Sequence, residues 1–546
     1  MRRSIAFTVP LVAAVSMAVS AGSSIAAEPL RDVIDARIEA TWKEQEIQPA
    51  APAGDAEFLR RVHLDLVGTI PSYEEAVAFL ADEDPAKREK LVDELLADPR
   101  FGTHQANVWD LVYFGRSPGN SRVREREGFR KWLAERFNQN TPYDQWALAM
   151  LKAEGSTVEE GAPTFLLQYA GNERTAAIGV SRLFMGMQLQ CAECHDHPFE
   201  AFTQLDFYGL AAFYSRMQPV SLKDKDGQKN FAVGEKNLGE VLFTGPQIDQ
   251  KPGDKGEPVK PKFLEGEKLQ EPELPKDVQD PKTFPNGETP PKPYFSRKDA
   301  LAEWIVDPDN PYFTKAVANR VWAQFMGRGI IHPVDNLSDL NPPSDPELWE
   351  RLTADLVAHQ YDLKWLIREI VNTRAYQLAS AGPVDRPDPR WFEQAKVRPL
   401  IAEELAASME TATRNLDLKA AAGNDDNFKT VRSLLISRFG EPLNGVGVYQ
   451  GDVFENLHFA NEGNLQQFLY DSGRNQLLAD MANSEATPEE KIDEMFLTVL
   501  SRRPTDAERA KYLAYVGQAT EPTAQATYWA DAIWVLLASS EFRFNH

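Results

Sequence analysis

Cysteine is nearly absent: two residues in 546, at positions 191 and 194. That scarcity excludes a disulfide-stapled scaffold, which needs more cysteines at wider spacing. A bridge between these two would close a very small loop and stabilise little by chain entropy. Positive charge is also in deficit, with a formal net charge of −23. A general nucleic-acid binder needs a basic footprint, so that class is set aside. Beyond the N-terminus no apolar run is long enough for a transmembrane helix. No Ser–His–Asp order, phosphate loop or dinucleotide fingerprint stands out. Glu441-Pro442 and Glu455-Asn456 offer carboxylates, but at no spacing that marks an acid–base pair.

The N-terminus reads as an export signal over residues 1–27. Arg2 and Arg3 form a basic start, Ile5 to Val19 an apolar core, and Ser24-Ile25-Ala26-Ala27 a small-residue cleavage region. An uncleaved anchor is the alternative, although the run is short for a span. The protein is therefore expected outside the cytoplasm: periplasmic, on the cell surface or secreted.

The remaining chain predicts a mainly α fold, in two helical domains joined by a Pro/Lys/Glu-rich segment with a few short strands. The first domain occupies residues 28–220. Helices are expected over Leu30 to Trp42, Phe58 to Leu66, from Ser72, and from Asp84-Pro85 to Asp98-Pro99-Arg100. Gly128 to Asn138, Tyr143 to Glu154, Asn172 to Gln190 and Leu205 to Arg216 continue the pattern. The aromatics Phe207, Tyr208, Phe213 and Tyr214 read as core. Residues 221–296 form the connecting segment, with short strands expected at Phe231-Ala232-Val233 and Val241-Leu242-Phe243. Lys251 to Lys292 is too rich in Pro, Gly and charge to bury much apolar surface. The second domain, 297–546, carries helical patterning over Asp299 to Val306, Phe313 to Phe325, Pro346 to His359, Leu363 to Asn372 and Val397 to Leu416. Three more helices are expected at Pro488 to Leu500, Thr505 to Val516 and Gln525 to Ala538.

The chemistry concentrates in Cys191-Ala192-Glu193-Cys194-His195-Asp196-His197. Cys-x-x-Cys-His is the attachment sequence for haem c. Two thiols at this spacing form thioethers to the haem vinyl groups, and the adjacent histidine offers a ring nitrogen to the iron. On this reading Cys191 and Cys194 are the attachment points and His195 the axial ligand. Met217 is the only methionine between the motif and Met326, so it is the sixth-ligand candidate, although close in sequence. The second histidine, His197, opens a rival reading. Both cysteines with one or both of His195 and His197 could bind zinc, iron or copper, with a histidine from elsewhere, such as His104 or His332, completing the shell. A redox-active dithiol is a third reading, and a structural pair a fourth. The isolated His63, His104, His332, His359 and His458 read as packed or surface residues.

Several blocks carry a family resemblance. Arg60-Arg61-Val62-His63-Leu64-Asp65-Leu66-Val67-Gly68-Thr69-Ile70-Pro71, Leu91 to Gly102, Cys191 to Phe199 and Asp206-Phe207-Tyr208-Gly209-Leu210 resemble domain of unknown function 1549, also described as cytochrome-c-associated. Asn310-Pro311, Asn319-Arg320-Val321-Trp322, Phe325-Met326-Gly327-Arg328-Gly329 and Ser539 to His546 resemble domain of unknown function 1553. The pairing looks like exported planctomycete-type proteins. It implies export and a two-domain layout without supplying a reaction. Two function classes follow. One is a haem-c redox or electron-transfer protein with periplasmic or surface redox partners. The other is a metal-binding enzyme or a non-catalytic surface protein linked to extracellular polysaccharide. Neither whether the chain is an enzyme nor its oligomeric state is legible.

Overall fold

The computed structural model describes residues 28–116, 118–245, 256–383, 387–415, 433, 435–436, 463–519 and 521–546. The expected leader, His458 and the carboxylates at 441 and 455 lie outside the described residues.

The architecture is mainly α. The first helices are α1 (Leu30–Glu44), α2 (Asp55–Val67), α3 (Tyr73–Ala81), α4 (Lys87–Ala97) and α5 (Pro99–Phe114). Gly68 adopts φ +71° and closes α2 in the left-handed conformation that a residue with a Cβ resists. Ser72 and Glu75 form a reciprocal capping box on α3. Asp98-Pro99 does more than end α4. The Asp98 carboxylate accepts from the Arg100 amide and Pro99 occupies the first turn of α5, where a missing N–H costs nothing.

The chain continues through α6 (Glu127–Asn138), α7 (Tyr143–Lys152), α8 (Thr164–Leu167), α9 (Glu173–Met185) and α10 (Gln204–Ala211). The helix expected from 172 to 190 stops at Met185, because Gly186 turns left-handed at φ +66°. The helix expected to reach Arg216 gives way to strand β1 (Met217–Ser221), which pairs antiparallel with β2 (Phe231–Glu235). β3 (Val241–Phe243) pairs with β4 (Glu257–Val259). Both expected strands are present, each hydrogen-bonded to a partner whose sequence did not announce it.

The 221–296 segment is held against the helices by polar contacts. Glu235 accepts from the Arg297 amide at 2.8 Å, Arg297 donates to Glu271 at 2.6 Å, and Asp280 accepts from the Leu238 amide at 2.7 Å. Then come α11 (Arg297–Val306), α12 (Phe313–Met326), α13 (Pro346–Ala358), α14 (Leu363–Val371), β5 (Arg398–Pro399) and α15 (Ala402–Ala412). The closing elements are α16 (Gly463–Tyr470), α17 (Gln476–Asn483), α18 (Pro488–Leu500), α19 (Asp506–Val516), α20 (Pro522–Leu537), α21 (Ser540–Arg543) and β6 (Phe544–Asn545), which pairs with β5.

Among the described residues two apolar cores result. The larger runs from Leu30 to Phe392 and includes Phe207, Phe213 and Tyr214. The smaller joins Leu64 and Ile70 to residues between Leu400 and Phe542. Each core therefore draws on sequence from both sides of the 221–296 segment. Among the described residues no helix is long and apolar enough to cross a membrane.

Candidate functional site

The local backbone decides how the cysteine motif is displayed. After Gly186 the chain forms a 3-10 turn over Leu189–Glu193. Such a turn has three residues per revolution, so positions three apart share a face. Leu189 and Ala192 are buried on the inner face. Cys191 and Cys194 are both free thiols on the exposed face. The Cys194 amide donates to the Cys191 carbonyl at 3.4 Å, which continues the three-residue pattern through the second cysteine.

The two histidines are in opposite hydrogen-bonding states. His195 Nδ1 lies 2.7 Å from the Asp196 carbonyl oxygen. A carbonyl only accepts, so Nδ1 carries a proton and Nε2 is the nitrogen left to face a ligand. Ligating histidines use this arrangement, one nitrogen donating to a carbonyl while the other faces the metal. His197 is reversed. Its Nδ1 accepts from the amides of Glu200 at 3.0 Å and Phe199 at 3.4 Å, and Nε2–H donates to the Gln188 carbonyl at 3.2 Å. Both of its nitrogens are already engaged by the chain.

Helix α10 holds the motif from below. Thr203 and Asp206 cap it reciprocally. The Asp196 carboxylate accepts from the Gln204 amide at 2.9 Å. The Glu193 carbonyl accepts from Gln204 Nε2 at 3.2 Å and from the Tyr208 hydroxyl at 3.4 Å. Arg174 of α9 pairs with Glu193 at 3.1 Å. The 331–341 loop closes the other side. The Leu337 amide donates to the Gly186 carbonyl at 2.8 Å, and the Ser338 hydroxyl donates to Glu200. Beside the entry to the motif lies an open cleft of about 200 Å³, lined by Ile178, Arg182, Met187 and Gln190 on one wall and by Pro333 and Val334 on the other.

The other sequence candidates fall elsewhere. Met217 is 1 % exposed, in strand β1 and within the larger core, whereas the thiols face solvent. His104 is buried, with Nε2 3.7 Å from Glu404. Burial holds its pKa below the ordinary value, and Glu404 opposes that shift. Partial burial, followed by the nearby Arg328 and Lys396 cations, lowers that of His332. Among the described residues no three His, Cys, Asp or Glu side chains converge as a metal site. Sequence reading missed Gln204, whose amide and side chain both bind the motif. The Thr203-x-x-Asp206 capping signature was the available signal.

Comparison with known families places two matches on the chain. The model for PSCyt2, a protein of unknown function (DUF1549), matches residues 33–219, and that for PSD1, a protein of unknown function (DUF1553), matches residues 297–433. No curated protein and no solved structure matches.

Proposed function

This chain belongs to the proteins that join a DUF1549 domain to a DUF1553 domain, and from its motif we propose that it is an exported redox protein carrying haem c. Cys191 and Cys194 would hold the group and His195 would offer it a ring nitrogen. One observation carries the reading. The 3-10 turn sets two free thiols on one exposed face, followed by a histidine whose Nδ1–H is engaged and whose Nε2 is open. The donor set matches what covalent haem attachment requires.

When bound, the group supplies reversible one-electron chemistry at iron. The thiols of this chain tether it. The Asp196 carbonyl orients His195. Apolar surface flanks the motif: Phe199 is 71 % exposed, and Leu340, two residues beyond the Ser338 that bonds Glu200, is 69 % exposed. The basic start and apolar run of residues 1–27 support export, where such maturation takes place and where redox partners of the periplasm or surface are met.

Of the rival zinc, iron or copper readings, the one that uses both histidines is weakened because both His197 nitrogens are already engaged, whereas the one that uses His195 alone is not affected. The test is a pyridine haemochrome spectrum of the mature chain made in a host with haem-c maturation machinery. A spectrum of thioether-linked haem, lost on Cys191→Ser, is expected. Folded protein without covalent haem would sink the proposal.

A further inference from the structure

We infer that His197 is not a ligand but the positioning residue of the motif: a clip that closes the loop and leaves His195 as its one coordinating histidine. This deepens the haem reading and rests on it only for the identity of what His195 binds.

The loop from Gln188 to Gln204 has few regular backbone bonds of its own. His197 supplies much of what replaces them. Its ring bridges the Gln188 carbonyl on the entry side and the Phe199 and Glu200 amides on the exit side. Its own amide donates to the Phe202 carbonyl at 2.8 Å. The ring therefore spans the motif, with the two cysteines and His195 inside the closed loop. Asp196 extends the clip into helix α10 by accepting from the Gln204 amide. The same Asp196 offers its carbonyl to His195 Nδ1. Fixing Asp196 from both sides thus fixes the tautomer and direction of the His195 ring. Orientation by a hydrogen bond to the remote nitrogen is how ligating imidazoles are tuned.

The inference requires opposite tautomers two residues apart, Nδ1–H on His195 and Nε2–H on His197. Long-range proton–nitrogen correlation spectra of the histidine-labelled, haem-free chain read this directly. His195→Gln and His197→Gln identify the two signals among the eight histidines. The expected result is the opposite pair. In His197→Ala the fixed Nδ1–H signature of His195 is lost. In His197→Asn, whose side-chain carbonyl again accepts from the Phe199 and Glu200 amides, it returns. A purely structural histidine would give no such rescue of a neighbour's tautomer.

Finding His197 as Nδ1–H in the unmodified chain, or an unchanged His195 signature in His197→Ala, overturns the clip. The haem reading has its own separate readout. Correct tautomers without covalent haem leave the clip standing and remove the haem. Covalent haem with the wrong tautomers does the reverse.

Discussion

Arg398 donates to the carboxylate of Asp65 at 2.8 Å across 333 positions of sequence. The same guanidinium meets both oxygens of Glu404 at 2.8 Å. Asp65 also accepts from the Tyr376 hydroxyl and from Asn545, each at 2.8 Å. Burial works against the Arg398 cation, but Glu404 and Asp65 outweigh it and its pKa rises. This knot joins α2 to the end of the chain, where β6 closes on β5.

Removing the hub of that knot takes their partner from the Tyr376 hydroxyl and the Asn545 amide, while Arg398 keeps Glu404. Asp65→Ala is expected to cost at least about 1–3 kcal/mol, the penalty for a buried donor left without a partner. Urea unfolding measures it. A loss below about 1 kcal/mol, that of an ordinary substitution, would show that the contacts are dispensable.

Stability should fall in mild acid. Burial pushes His63 down to about 4, with Glu75 opposing, and burial also lowers His104. As the pH drops from the ordinary histidine value towards 4, the unfolded chain takes up protons that the folded chain refuses. Folding is therefore strongest above that window and weakens through it. His63→Gln is expected to flatten the decline in urea midpoint between pH 7 and pH 4. An unchanged slope would remove His63 from the account.

Gly186 is the stop before the motif. Its φ of +66° disfavours any residue with a Cβ, and a Cβ there would sit 2.7 Å from the Leu337 side chain. Gly186→Ala is expected to destabilise by at least the ~1–2 kcal/mol of the left-handed conformation. Thermal unfolding checks this, and an unaltered midpoint would contradict the assigned turn.

The two cysteines should be dispensable for folding. Both are exposed and free, so Cys191→Ser with Cys194→Ser is expected to shift stability by no more than about 0.5 kcal/mol. The unmodified, haem-free protein should show two rapidly titrating thiols, and the double variant none. A large loss of stability would favour the structural-pair reading of the motif.

Periodicity and caps made most helices legible. Phe58, Val62 and Leu66 announce α2, and Ser72 with Glu75 announces the start of α3. Pro99 concealed α5, because the same Asp-Pro step that ends one helix caps the next. The strand at Met217–Ser221 was invisible for a different reason. Its hydrogen bonds come from Phe231–Glu235, so nothing within its own five residues demands a strand. Short helices α16 and α17 went unread because their buried faces are defined by the packing around α20.

The sequence by itself determined which residue types stand together: two thiols three apart, a histidine beside the second, another two further on. Spacing along a chain is covalent, so it needs no fold. The roles of the two histidines were decided only in three dimensions. The Gln188 carbonyl and the Glu200 amide converge on the His197 ring because Gly186 ends α9 and Thr203 begins α10 where they do. The Asp196 carbonyl then leaves His195 Nε2 open. Hydrogen bonds depend on where separate turns bring donors and acceptors, and that information lies in the tertiary structure.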